Sequence, residues 1–238
     1  MKRLKTVIHI HTHYSFDSPT KPAELLATAC KRGVDCLAIT DHDEIDGALE
    51  AREIGGVRVI VGEEISSADG HVIGLFLSER IPPGLPVEET AERIRAQGGL
   101  VLAPHPFATL CRDSLHADAL ERLLPWLDAV EICNAQNPLP WENSMAERFA
   151  RRHGLTPYVG DDTHLPGYLA ACYQLVPAFD GPSGFLTALR VAELQRGRFG
   201  PSYFAAVAGL HLKHALGRAA RVGWGMRAPA GTEARMVR

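Results

Sequence analysis

Nowhere in the 238 residues does an apolar run approach the roughly 20 residues that a membrane-spanning helix needs. The opening Met1-Lys2-Arg3-Leu4-Lys5 leads into alternating residues instead of an apolar signal core, so the expectation is a cytoplasmic protein with no membrane partner. Cysteine is sparse. Cys30, Cys36, Cys111, Cys133 and Cys172 are odd in number and form no C-x-x-C, which argues against a disulfide framework or a zinc knuckle. A surplus of either charge is also missing: 25 Lys+Arg stand against 28 Asp+Glu, a net charge of -3, so no global field draws the chain to nucleic acid or anionic lipid. There is no G-x-S-x-G and no Walker-type Gly-Lys-Ser/Thr, which removes a serine-nucleophile route and a phosphate-cradling loop. What the chain does have is histidine, 11 residues of it, and their placement matters more than their number.

Short β-type runs alternate with longer helix-type runs, the pattern of an α/β fold with a mostly parallel sheet. The spacing predicts strands at Thr6 to Ile10, Asp35 to Thr40, Val57 to Val61, His71 to Phe76, Leu100 to Ala103, Asp128 to Cys133 and Thr156 to Gly160. Helices are predicted at Lys21 to Arg32, Asp46 to Ile54, Val87 to Gln97, Ala117 to Leu124 and Trp141 to His153, with Pro22 early in the first and Gly33, Gly98 and Gly154 as stops. A closed or nearly closed βα barrel over residues 1–200 accommodates this alternation. Beyond it the expectation is further helix from Ser183 to Arg196, a peripheral helix over 201–222 and a disordered tail over 223–238.

Side chains on a strand repeat every two residues, so His9 and His11 project from one face at the end of the first strand. The second strand runs into Asp41-His42-Asp43, the third into Gly62-Glu63-Glu64, the fifth into Pro104-His105-Pro106, the sixth into Glu131-Ile132-Cys133-Asn134 and the seventh into Asp161-Asp162-Thr163-His164. A polar residue after any one strand is explained as a helix cap. The set is not, because parallel strands bring their carboxyl ends to one face. Imidazoles and carboxylates gathered there without cations would be desolvated at a cost that divalent ions turn into binding energy. There are more such residues than one zinc needs, which implies two or three metals; mixed nitrogen and oxygen donors suit zinc, manganese or iron.

These segments, with His9-Ile10-His11-Thr12-His13-Tyr14-Ser15-Phe16-Asp17-Ser18 at their head, resemble in order the motifs of the PHP (polymerase and histidinol phosphatase) superfamily across roughly residues 5 to 195. The resemblance implies a distorted (β/α)7 TIM-like barrel with up to three metals, used to hydrolyse phosphoesters. It further implies that His9, His11, Glu64 and Asp162 ligate one metal, that Glu64 bridges to a second held also by His105 and Cys133, and that Asp17, His42 and His164 ligate a third. The nucleophile expected is metal-bound hydroxide held by the cluster.

His71 opens a strand and is a candidate proton donor, a satisfied or surface imidazole being the plainer reading; Arg112 and Arg148 are candidate counter-charges for phosphate, each equally readable as a surface arginine. A small phosphorylated metabolite or a nucleotide is favoured as substrate over a nucleic acid strand, since the chain lacks a paired basic and aromatic surface. Two alternatives stand beside the phosphatase: a nuclease acting on short nucleic acid, and a metal-stabilised accessory or binding domain without turnover.

Overall fold

In the computed structural model of the chain, residues 2–111 and 113–209 are described. The chain divides into two compact units, Met1–Gly200 and Pro201–Arg238. In the second, residues 201–209 are helical; the rest of the helix expected over 201–222, and the tail expected over 223–238, lie outside the described residues.

The first unit runs β1 (Leu4–Ile8), α1 (Pro22–Lys31), β2 (Cys36–Ile39), α2 (Asp46–Ile54), β3 (Arg58–Ser67), β4 (Gly70–Leu75), α3 (Val87–Ala96), β5 (Leu100–Ala103), α4 (Ala117–Leu123), β6 (Ala129–Asn134), α5 (Pro140–His153), β7 (Thr156–Gly160), β8 (Tyr173–Val176), α6 (Gly181–Arg190) and β9 (Glu193–Gln195). Local chemistry sets several of these limits. Proline opens α1 and α5, where a missing N–H leaves no helical bond unmade, and α5 stops at Gly154, whose φ of 65° makes a left-handed cap.

The nine strands form one sheet in the order β7-β6-β5-β4-β3-β2-β1-β8-β9, a nearly closed barrel of the TIM-like kind. β1, β2 and β3 are parallel, as are β5, β6 and β7. β4 is antiparallel to both of its neighbours. The reversal comes from the two-residue turn Ala68-Asp69 between paired Ser67 and Gly70, the latter at a φ of 127° that favours glycine. A hairpin therefore joins the strands expected at Val57 to Val61 and His71 to Phe76, between which no helix was predicted. β8 and β9 add an antiparallel ribbon along the start of β1, so the expected helix over Ser183 to Arg196 is α6 followed by a short strand.

Closure of the barrel happens beyond the named strands. The N–H of Asp161 donates to the carbonyl of Ile8 (2.9 Å), that of Asp162 to His9 (2.7 Å), and that of His11 to Thr163 (3.0 Å). Side chains alternate across the wall. Ile8, Ala38, Ile60, Ile73, Leu102 and Tyr158 pack inward together with Phe185 and Leu189 of α6. Val7, Leu37, Val61, Val101 and Val130 face outward onto Leu25, Ala29, Ala91 and Ile94 of the helices. Burial of each such side chain contributes about 1.5–3 kcal/mol, so both layers brace the wall. Above this apolar floor the inward positions turn polar, beginning with His9, Glu64 and Glu131.

Candidate metal centre

Glu64 is the hub of the polar end, with 1% of its surface exposed. Its Oε2 lies 3.1 Å from His9 Nε2, 3.3 Å from His11 Nε2 and 3.4 Å from His42 Nδ1; its Oε1 lies 2.9 Å from His105 Nε2 and 3.0 Å from His71 Nδ1. Asp162 Oδ1 adds a second focus, 3.4 Å from His11 Nε2 and 3.6 Å from His9 Nε2. Asp17 Oδ2 makes the third, 3.1 Å from His164 Nε2 and 3.3 Å from His42 Nε2. The backbone is bent to deliver these groups: His9, His105 and Asp162 have φ of 69°, 25° and 50°, a region that costs non-glycine residues of order 1–3 kcal/mol each.

A second layer of bonds fixes the imidazoles. Glu131 Oε1 takes the Nδ1 side of His9 at 3.1 Å, while its Oε2 accepts from the His105 N–H (2.5 Å) and from Asn134 Nδ2 (2.9 Å). Asn134 Nδ2 also donates to Asp162. Ser15 Oγ lies 3.1 Å from His11 Nδ1 and donates to Asp41, which in turn accepts from the N–H and hydroxyl of Thr12. Ser18 and Thr20 hydroxyls both donate to the His164 carbonyl.

Several buried atoms in this place are left over. His11 Nε2, His42 Nδ1, His71 Nδ1, His105 Nδ1 and Asp17 Oδ1 have no hydrogen-bond partner. For His71 the nearest oxygen is only 3.0 Å away, yet the angles do not make a hydrogen bond. Donor atoms that approach closely without bonding to one another are aimed at a shared point, as ligands of a cation are. Grouped by mutual approach within 4.8 Å, the sets are His11, Asp17, His42 and His164; His9, His11 and Glu64; His9, His105 and Asp162; His42, Glu64 and His71; and His71, His105 and Cys111. Imidazole nitrogens with carboxylate oxygens fit zinc, manganese or iron.

The electrostatics agree. Burial pushes the Glu64 and Asp162 carboxyls up, but His9 and the neighbouring imidazoles outweigh it and hold both well below the usual range. His42 feels the reverse: burial presses it down, yet Glu64 and Asp17 lift it to about 9. Burial, with His164 and His42 nearby, takes His11 down to about 3, so its ring is neutral and its nitrogen free to ligate. On the outward face burial raises Glu63 to about 8, its Oε2 accepting from the Ile81 N–H. Asp161, raised to about 7 by burial, accepts from the N–H groups of Ala170 and Cys172. Both acids adjacent to the motif carboxylates are thus structural.

Cys133 corrects the sequence expectation. β6 bulges between Glu131 and Cys133, so Cys133 pairs with outward Val159, and Asn134 takes the inward place beside Gly160. The Cys133 sulfur contacts Asn143 Nδ2 (3.8 Å) and the Gly197 carbonyl (3.9 Å), away from the cluster. Arg148 is exposed on α5, two turns or about 12 Å along from its start, and does not join the cluster. Arg112 lies outside the described residues. His71, read as a satisfied or surface imidazole or a proton donor, is buried among the imidazoles, because antiparallel β4 begins where its neighbours end. Glu131 and Asn134 stood in the motif at the end of the sixth strand without an assigned role, and Cys111 was read only as one of five cysteines; the Asp69-Gly70 pair was the available signal for the hairpin, and no comparable signal marks the bulge.

Among known proteins, the family model described as PHP domain matches residues 8–133, and one described as PHP-associated matches residues 140–194. Uncharacterized protein MJ1587 of Methanocaldococcus jannaschii is 42% identical over 147 residues, 56% of this chain and 82% of that protein. Phosphoribosyl 1,2-cyclic phosphate 1,2-diphosphodiesterase of Eggerthella lenta is 38% identical over 84 residues, 32% of each chain. In structure, a two-domain protein from Bacteroides vulgatus containing a predicted PHP-like metal-dependent phosphoesterase matches with a TM-score of 0.66 at 19% identity, over 82% of this chain and 65% of that one. At that identity the likeness is one of fold.

Proposed function

Because the chain belongs to the PHP domain family, we propose that it hydrolyses phosphoesters with bound divalent cations, and that its substrate is a small-molecule or nucleotide phosphomonoester. The observation that carries the reading is the convergence of five imidazoles on the Glu64 carboxylate, four of them keeping a ring nitrogen without a hydrogen-bond partner. In this reading His9, His11, Glu64 and Asp162 hold one cation, Glu64 and His105 share in a second, and Asp17, His42 and His164 hold a third. The ions, when bound, supply Lewis acidity toward phosphoryl oxygens and a nucleophile at neutral pH.

The chain's own groups prepare that site. Glu131 accepts the Nδ1–H of His9, which leaves Nε2 as the ligating atom and sharpens its basicity. Ser15, donating to Asp41, accepts from His11 Nδ1 and does the same for that ring. Glu63 sits behind Glu64 on the outward face and contributes no charge to the site while protonated. Among the described residues no helix is long and apolar enough to cross a membrane, and the net charge of -3 gives no bias toward a polyanionic strand.

The test is reconstitution with zinc, manganese or iron, followed by p-nitrophenyl phosphate and then a panel of phosphorylated metabolites, nucleotides and short oligonucleotides. Turnover that chelation removes and metal restores supports the reading. Stoichiometric metal without turnover across the whole panel overturns it in favour of an accessory domain, and turnover of oligonucleotides alone moves it to a nuclease.

A further inference from the structure

β6 offers no thiolate to the cluster, yet a thiol reaches it from another direction. Cys111 sits in the segment between β5 and α4, and its sulfur lies within 4.8 Å of ligand atoms of both His71 and His105. The segment is folded for that approach. The N–H of His71 donates to the Asp113 carbonyl (2.7 Å), Ser114 Oγ donates to the His105 carbonyl (2.8 Å), and the Ser114 N–H returns to the Cys111 carbonyl (3.3 Å). Cys111 is therefore suspended between the two histidines by bonds to the backbone of each.

Both imidazoles are more than nine-tenths buried and each keeps an unpartnered Nδ1. Glu64 Oε1 lies 3.0 Å from that Nδ1 of His71 and 2.9 Å from the other ring nitrogen, Nε2, of His105. Two nitrogens, one carboxylate oxygen and one sulfur make four donors of the kind zinc takes in four-coordinate sites.

We propose that His71, His105 and Cys111, with Glu64 Oε1, hold one of the cations, and that this position is selective for zinc or ferrous iron over magnesium and manganese. A thiolate favours the softer ions, and imidazoles alone discriminate less. His71 is then a ligand and not the proton donor of the sequence reading. The proposal rests on the metal-dependent reading above.

Cobalt(II) separates the two. The protein is stripped with chelator and titrated with cobalt alone, and two signals are followed: d–d absorption reports any bound cobalt, and a near-ultraviolet thiolate-to-cobalt band reports a Co–S bond. Wild type and Cys133→Ala are expected to show both. Cys111→Ser is expected to keep the d–d absorption and lose the thiolate band, and His71→Asn and Cys111→Ser each to carry about one equivalent less zinc. A thiolate band that survives Cys111→Ser, or disappears in Cys133→Ala, overturns the proposal, as does full zinc content in both ligand variants. Bound cobalt with no thiolate band in wild type overturns it while leaving the metal-dependent reading intact. Absence of all cobalt absorption overturns both.

Discussion

Replacing Gly160 by alanine is expected to damage the protein through one carboxylate. Gly160 is not in the left-handed region, so the cost is spatial and not torsional: a Cβ there would lie 1.4 Å from Glu131 Oε1 and 2.4 Å from its Cδ. Glu131 is 1% exposed and tied to His9, the His105 N–H and Asn134, so it has nowhere to retreat without giving up those bonds. Hydrogen bonds to a charged group are each worth about 1.5–3 kcal/mol, so losing three at the lower value costs about 4.5 kcal/mol. Restricting the unfolded chain returns about 0.5 kcal/mol. The net expectation is about 4 kcal/mol, or a fall in Tm of roughly 8–16 °C for a domain of this size. Urea denaturation of metal-free protein at pH 7 measures it, with Glu131→Ala and the double variant completing a cycle. Once Glu131 is truncated the new methyl has room, so the two changes are expected to couple by more than about 2 kcal/mol. A Gly160→Ala cost below about 1 kcal/mol, or costs that simply add, refutes the reasoning.

Glu63→Gln is expected to flatten stability between about pH 4.5 and 8: with the folded pKa raised, the native state holds a proton that the unfolded state has released, so wild type loses roughly 1.4 kcal/mol per pH unit there. Denaturation curves at several pH values check this, and a variant with wild-type slope contradicts the assignment. His11→Ala and Asp162→Ala are each expected to lower phosphatase turnover at least ~100-fold at saturating metal, with weaker metal binding by calorimetry. Zinc at ~100 times its Kd is expected to stabilise the stripped protein by about 2.7 kcal/mol in a thermal scan, and an unchanged Tm would count against a site built for cations.

The helix limits were legible because proline and glycine write them locally, as at Pro22 and Gly154, while His9 and His11, expected on the first strand, follow β1, where the φ of 69° at His9 turns the backbone. Cys133 was expected in the cluster from the family resemblance, and strand alternation does not warn against it. It stands two after inward Glu131, but the bulge inserts a residue and hands the inward position to Asn134. The place of His71 follows from strand direction, which the sequence does not state: β4 is antiparallel to β3, so its start lies at the polar end. β8 and β9 are four and three residues long, and their pairing partners lie far away along the chain, so no local pattern announces them.

The seam between β1 and the segment after β7 has a meaning for how the molecule is made. Ile8, His9 and His11 leave the ribosome long before their backbone partners, Asp161, Asp162 and Thr163. Bringing together ends separated by on the order of 150 residues costs about 4 kcal/mol of chain entropy, which must be met before those bonds return anything. Until then the early strand carries an open edge beside the residues proposed to hold metal. An ion that takes donors from both sides of the seam acts as a clasp, joining the start of the chain to a stretch synthesised much later. In the proposed site it could be fastened only once the barrel is nearly complete, which would tie the acquisition of metal to the end of folding.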